Sequence, residues 1–121
     1  MSGRGRRGLG AWGEALAACY LEGLGYRLLA RNLRHRLGEL DLVALDGDTL
    51  VFVEVRTRAT VAAGAPEESV DAAKQARLRR LASAFLAREP VFRLSPARID
   101  VIAIQLEPEG LILRHFRNVT G

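Results

Sequence analysis

The sequence predicts an α/β domain with the element order α-β-β-β-α-β-β, a mixed sheet with helices packed on it. Three observations carry this. Two segments repeat apolar residues at helical spacing, five shorter and largely apolar ones read as strands, and glycine, proline or aspartate punctuates the joins. At 121 residues and 49% apolar content, the chain is long enough for one core and too short for two.

Residues 1–7 read as a disordered basic arm and residues 8–121 as a single domain. Leu9, Trp12, Leu16, Tyr20 and Leu24 follow helical spacing, and Gly25 supplies a C-terminal stop. Tyr26 to Leu33 forms a first strand. Leu37 to Leu45 and Leu50 to Thr57 form a hairpin around the turn Asp46-Gly47-Asp48-Thr49. Residues 58–65 read as a mobile loop ending at Pro66. A second helix starts at Pro66 or Ser69 and ends at Arg88, with Glu67, Glu68 and Asp71 at its positive end and Pro90 beyond it. Its apolar stripe is Val70, Leu78, Leu81, Ala82 and Phe85. Lys74 falls within about 40° of that stripe and so points toward the sheet. Strands Arg98 to Leu106 and Leu111 to Arg117 flank the turn Glu107-Pro108-Glu109-Gly110.

No apolar run approaches the roughly 20 residues that cross a bilayer, and the N-terminus lacks the apolar core of a signal peptide. The expectation is a cytoplasmic protein without a membrane partner. The single cysteine, Cys19, has no intramolecular disulfide partner; among Ala17, Ala18, Tyr20 and Leu21 it reads as a small buried residue.

Chemistry enters with Asp41 and Glu54, each inside an otherwise apolar run, where an unpaired buried charge costs several kcal/mol. A hairpin loop of two or four residues opposes them on one face, with Cβ atoms about 4.5–5.5 Å apart. Two carboxylates so close repel unless one is protonated or a cation lies between them; a three-residue loop would separate them. Period-two alternation adds Arg56 to the Glu54 face. Glu39 shares the parity of Asp41 and reads as an acidic neighbour or a strand-start surface residue.

The net charge of +4 and pI near 10.2 favour a polyanionic partner. Arginines cluster at Arg4, Arg6 and Arg7, at Arg31, Arg34 and Arg36, and at Arg77, Arg79 and Arg80. The middle cluster just precedes the Asp41 strand, as a solvated loop or a phosphate-contacting rim. Gly8-Leu9-Gly10-Ala11-Trp12-Gly13 matches G-x-G-x-x-G but lacks the preceding strand of a dinucleotide fold, so it reads as a glycine-rich helix entry near a phosphate. Asp100 reads as a buried strand acid without chemistry. His35 and His115 have no partner at metal-ligand spacing and read as surface residues.

An acid in the first helix (Glu14), Gly38-Glu39-Leu40-Asp41 on one strand, Val51-Phe52-Val53-Glu54-Val55-Arg56-Thr57-Arg58 on the next and Lys74 in the following helix resemble the YraN family of small bacterial proteins. That family is similar to archaeal Holliday-junction resolvases of the restriction-endonuclease-like superfamily, and the resemblance covers nearly all of the chain after the arm. It implies a restriction-endonuclease-like fold and a Mg²⁺- or Mn²⁺-dependent endonuclease acting on DNA, possible branched DNA included. Asp41, Glu54 and the Val55 carbonyl would hold the metal, and Glu14 would complete the acidic cluster. Arg56 or Lys74 would face the phosphate, and Arg31, Arg34 and Arg36 would bind the nucleic-acid backbone. Arg56 stands where the superfamily pattern expects lysine. Because all but one of the 18 basic residues are arginine, Arg56 reflects a compositional bias toward arginine more than a loss of function. Two other classes stay open, a DNA-binding module without catalysis and an interaction protein whose carboxylates pair with Arg56 and Lys74. Monomer and homodimer are both compatible with the sequence.

Overall fold

The computed structural model describes residues 2–59 and 71–119. Helix α1 (Ser2–Gly23) leads into three antiparallel strands, β1 (Arg27–His35), β2 (Gly38–Asp46) and β3 (Thr49–Arg58). Helix α2 (Ala72–Arg88) and a single 3₁₀ turn (Pro90–Phe92) lead to β4 (Ala97–Glu107), which lies parallel to β3 and pairs antiparallel with β5 (Gly110–Phe116). The strands lie in chain order in one five-stranded mixed sheet, so the predicted α/β architecture and element order are observed. The expected loop through residue 65, a helix start at Pro66 or Ser69, Glu67, Glu68 and Val70 fall outside the described residues. Among the described residues no helix is long and apolar enough to cross a membrane.

Alternation sends Leu42, Ala44, Val51 and Val53 to one side of the sheet, against Ala17, Ala18 and Leu21 of α1. Val43, Leu50 and Phe52 go to the other side, against Leu78, Leu81 and Phe85 of α2. The central strands are therefore apolar on both faces, which is why their sequences run rather than alternate. Phe52 meets Phe85 edge-on with ring centroids 5.6 Å apart. Burying such a ring completely contributes about 1.5–3 kcal/mol.

Helix α1 differs from expectation in three ways. It begins at Ser2, so its backbone runs through the segment expected to be an arm; extending an existing helix is far easier than nucleating one. Its buried line is Gly13, Ala17, Ala18 and Leu21, while Trp12 and Leu24 are exposed. Cys19 is exposed too, because at 100° per residue it lies about 200° round the helix from Ala17. The helix ends as expected: Gly25 takes φ +93, the Tyr26 N–H reaches the Leu21 carbonyl at 3.0 Å and the Gly25 N–H reaches that of Glu22 at 2.9 Å.

The three glycines of G-x-G-x-x-G lie inside α1 and not at its entry, so they form no phosphate loop. Gly13 has a packing role instead, since a Cβ built there would overlap Thr57 Oγ1 of β3. Alanine is favoured over glycine within a helix by about 1 kcal/mol, so a net loss on substitution isolates this close approach. Gly13→Ala should lower the denaturation midpoint, by about 1–3 kcal/mol of stability, and Thr57→Ala should restore part of it. A Gly13→Ala protein more stable than its parent would sink the packing account.

Candidate functional site

Asp46 pairs with Thr49, leaving the two-residue loop Gly47-Asp48, and pairing continues to Leu42↔Val53. One further step sets Asp41 opposite Glu54, the register expected for an even loop. The ladder ends there. The Val55 N–H donates to Asp41 Oδ2 at 2.8 Å instead of to a strand carbonyl. On the other flank, Arg31↔Leu42 and Leu33↔Leu40 bracket Asn32, which has φ +53. Leu40, which alternation would place beside Leu42 on the α1 side, packs on the α2 side. Thus β1 and β2 turn over at Asn32 and Asp41. Asparagine tolerates the left-handed region better than most residues do.

This turnover gathers three acids from two elements. Glu14 of α1 and Glu39 and Asp41 of β2 each offer a carboxylate oxygen, all within 4.8 Å of one another. Burial is the first cause that pushes the Asp41 carboxyl up, to about 7; Glu14, Glu54 and Glu39 push the same way, against the Val55 hydrogen bond. Burial and then Glu39 also raise Glu14, opposed by Arg31 and by a hydrogen bond from the Asn32 side chain. Three hard oxygen donors suit Mg²⁺ or Mn²⁺.

Glu54 is only 8% exposed and is held on both oxygens. Arg56 Nε lies 2.9 Å from its Oε2, and Lys74 Nζ lies 3.3 Å from its Oε1. Lys74 points inward as its helical position predicts. It sits in the first turn of α2, where Asp71 caps the helix by accepting from the Lys74 backbone N–H at 2.9 Å. Glu39, Asp41, Glu54, Val55, Arg56, Lys74 and Arg77 line one recess of about 260 Å³.

Five of the predicted site residues, Asp41, Glu54, Val55, Arg56 and Lys74, thus share this recess, and Glu14 reaches Asp41 from α1. Arg31, Arg34 and Arg36 remain at the exposed edge formed by β1 and its turn; the Arg34 side chain is 90% exposed and lies 3.6 Å from Glu39. The sequence did not assign two residues here, Asn32 and Arg77. Asparagine is disfavoured inside a strand, and Arg77 is three residues from Lys74 on one helix face, so both signals were present.

His115 is not a surface residue. Its side chain is 5% exposed; its Nε2 lies 2.8 Å from Asp100 Oδ2 and its Nδ1 lies 3.0 Å from the Tyr20 hydroxyl. His35 Nδ1 accepts from the Leu37 N–H at 3.1 Å.

Asp41 generates a pH prediction. In an unfolded chain its carboxyl ionises above about pH 4, but in the folded protein only near about 7. The folded state binds more protons in that window, so this residue makes stability fall as pH rises through it. Asp41→Asn keeps an acceptor for Val55 and removes the titration. Thermal melts of the two proteins should diverge as pH rises, leaving the variant more stable at about pH 8, on the order of 2–4 kcal/mol. Parallel pH dependences would refute this.

Comparison with other proteins places the chain in a family. A family model described as "Uncharacterised protein family UPF0102" matches residues 13–104. A UPF0102 protein of Symbiobacterium thermophilum is 51% identical over 107 residues, covering 86% of this chain and 87% of that protein. One from Geobacter sulfurreducens is 49% identical over 111 residues, covering 91% and 86%. One from an Arthrobacter species is 52% identical over 112 residues, covering 92% and 94%. The match spans Glu14, Asp41, Glu54, Arg56 and Lys74, and the chain belongs to the UPF0102, or YraN, family.

Proposed function

We propose that this protein is a divalent-metal-dependent endonuclease that hydrolyses phosphodiester bonds in DNA. The observation that carries the proposal is the meeting of carboxylates from α1 and β2 around Asp41 beside a recess whose other wall is cationic. Asp41 would hold Mg²⁺ or Mn²⁺, with Glu14 and Glu39 on its helix side and Glu54 and the Val55 carbonyl on β3. Bound there, such an ion activates water and neutralises charge on the scissile phosphate. The role of Arg56 is to orient Glu54 and the phosphate, and not to take a proton. Arg31, Arg34 and Arg36 contribute long-range attraction from the β1 edge.

The deciding assay is Mn²⁺-supported cleavage of linear and four-way-junction DNA, with Asp41→Ala alongside. Wild type should cleave one or both, the variant neither, and calorimetry should show that Asp41→Ala loses Mn²⁺ binding. Unchanged Mn²⁺ affinity in the variant would remove the metal site.

The basic edge makes a separate prediction. DNA affinity should fall steeply with salt, and each arginine removed from Arg31, Arg34 and Arg36 should flatten the log–log slope by roughly one. A triple alanine variant with parental slope and affinity would leave these side chains as a solvated face.

One observation favours a second reading, a DNA-binding relative without catalysis: both Glu54 oxygens are already held by Arg56 and Lys74. Metal-independent DNA binding by an inert wild type, with cleavage gained on Arg56→Lys, would establish that reading.

A further inference from the structure

We infer that Arg77 grips the DNA phosphate in this recess, an assignment that rests on the phosphodiesterase reading above. The Arg77 Nε is buried and has no hydrogen-bond partner. Leaving such a donor unpaired is costly, and buried donors in folded proteins are nearly always satisfied. The orphaned group does not lie in a random place. Arg77 lines the same recess as Asp41, Glu54 and Lys74 and stands three residues along α2 from Lys74.

The other two cations of the recess are committed to Glu54. Among the described residues no carboxylate pairs with Arg77, although Glu39 and Glu54 line the recess with it. Its stem is fixed by packing: Arg77 Cδ and Leu81 Cδ1 each lie 3.6 Å from where a Cβ on Gly38 would stand, and Arg77 Nη1 lies at 3.8 Å. The side chain is thus laid over the start of β2, the strand that carries Glu39 and Asp41. A guanidinium presents its N–H groups as a planar fork that matches two oxygens of one phosphate. Nε itself is closed to solvent, so the ligand meets the guanidinium end-on through its Nη groups, which makes it a pair of non-bridging phosphodiester oxygens held beside the acids that would carry the metal.

The test uses the full-length protein and a short DNA duplex. Arg77→Met keeps much of the stem and removes the fork; Arg77→Lys keeps the charge alone. With Ca²⁺ replacing Mn²⁺, duplex affinity is measured across a salt series, alongside thermal melts, Mn²⁺ calorimetry and single-turnover cleavage in Mn²⁺. Arg77→Met should weaken duplex binding about tenfold and flatten the salt slope by about one. It should leave Mn²⁺ affinity unchanged and the melting temperature unchanged or raised, because the unpaired donor is gone. Arg77→Lys should recover the slope but only part of the affinity.

A wild type that cleaves, paired with an Arg77→Met protein of parental affinity and slope, overturns this inference and leaves the proposed function standing. A lowered melting temperature with an unchanged slope makes Arg77 a packing residue and equally overturns it. A wild type that neither binds nor cleaves the duplex overturns the proposed function, and this inference with it.

Discussion

A sheet that is apolar on both faces can open at one edge only if the backbone groups exposed by the opening find partners. Here the opening is where β2 parts from β3, and the Asp41 carboxylate closes it by accepting the Val55 N–H at 2.8 Å. An apolar residue at position 41 would leave that donor unsatisfied. The central acid of the site is therefore also the group that ends the hairpin ladder. The other elements are placed by reference to it. Gly13 lets α1 approach β3 closely enough for Glu14, one residue on, to reach Asp41. The left-handed Asn32 reverses the strand so that Glu39 joins from the other side of Leu40.

The recess is divided by charge. Glu39 and Asp41 form an acidic side, backed from α1 by Glu14, to which the Asn32 side chain donates; Arg56, Lys74 and Arg77 form a cationic side. Glu54 sits on the boundary, close enough to Asp41 to raise its carboxyl and yet paired with two cations of its own. Such partly buried pairs recover only part of their desolvation cost from Coulomb attraction. A phosphodiester beside a divalent ion has the same two-sided character, anionic oxygens next to a cation. Under the proposed function the division of the recess is the complement of its ligand.

The hairpin register was legible because it depends only on counting: the alternation of LDLVAL and LVFVEV and a Gly47-Asp48 turn leave few pairings that bury both strands. Lys74 was legible for the same reason, through the 100° step of α2. The α1 face was not. Trp12 and, just past the helix, Leu24 are outside, and the buried line is Gly13, Ala17, Ala18 and Leu21, mostly the small residues a helix uses when it must lie close to a sheet. Periodicity weighted by side-chain size points the wrong way in that case. His115 was hidden for a different reason. Its partners Asp100 and Tyr20 lie 15 and 95 residues away in sequence, and a strand pairing with a helix behind it is needed to bring them together.

Asp41 and Asp100 make the physical contrast that separates fold from site. Burial alone would raise both carboxyls. Asp100 is fully buried, yet its carboxyl is held below the usual range, because His115, the Asn118 N–H and Arg98 all donate to it, at 2.8, 2.9 and 3.0 Å. Arg98 continues outward to the Tyr26 hydroxyl at 2.8 Å and to Asp46 at 3.2 Å, so this network binds β4, β5 and the start of β1 into one unit. Asp41 has one backbone donor and three acidic neighbours, and its carboxyl moves up instead. The protein thus neutralises the acid that serves its core and leaves the one at the opening under-compensated. Only a proton or an external cation can supply the remaining charge at Asp41, and a proton becomes an inadequate partner as pH rises past about 7.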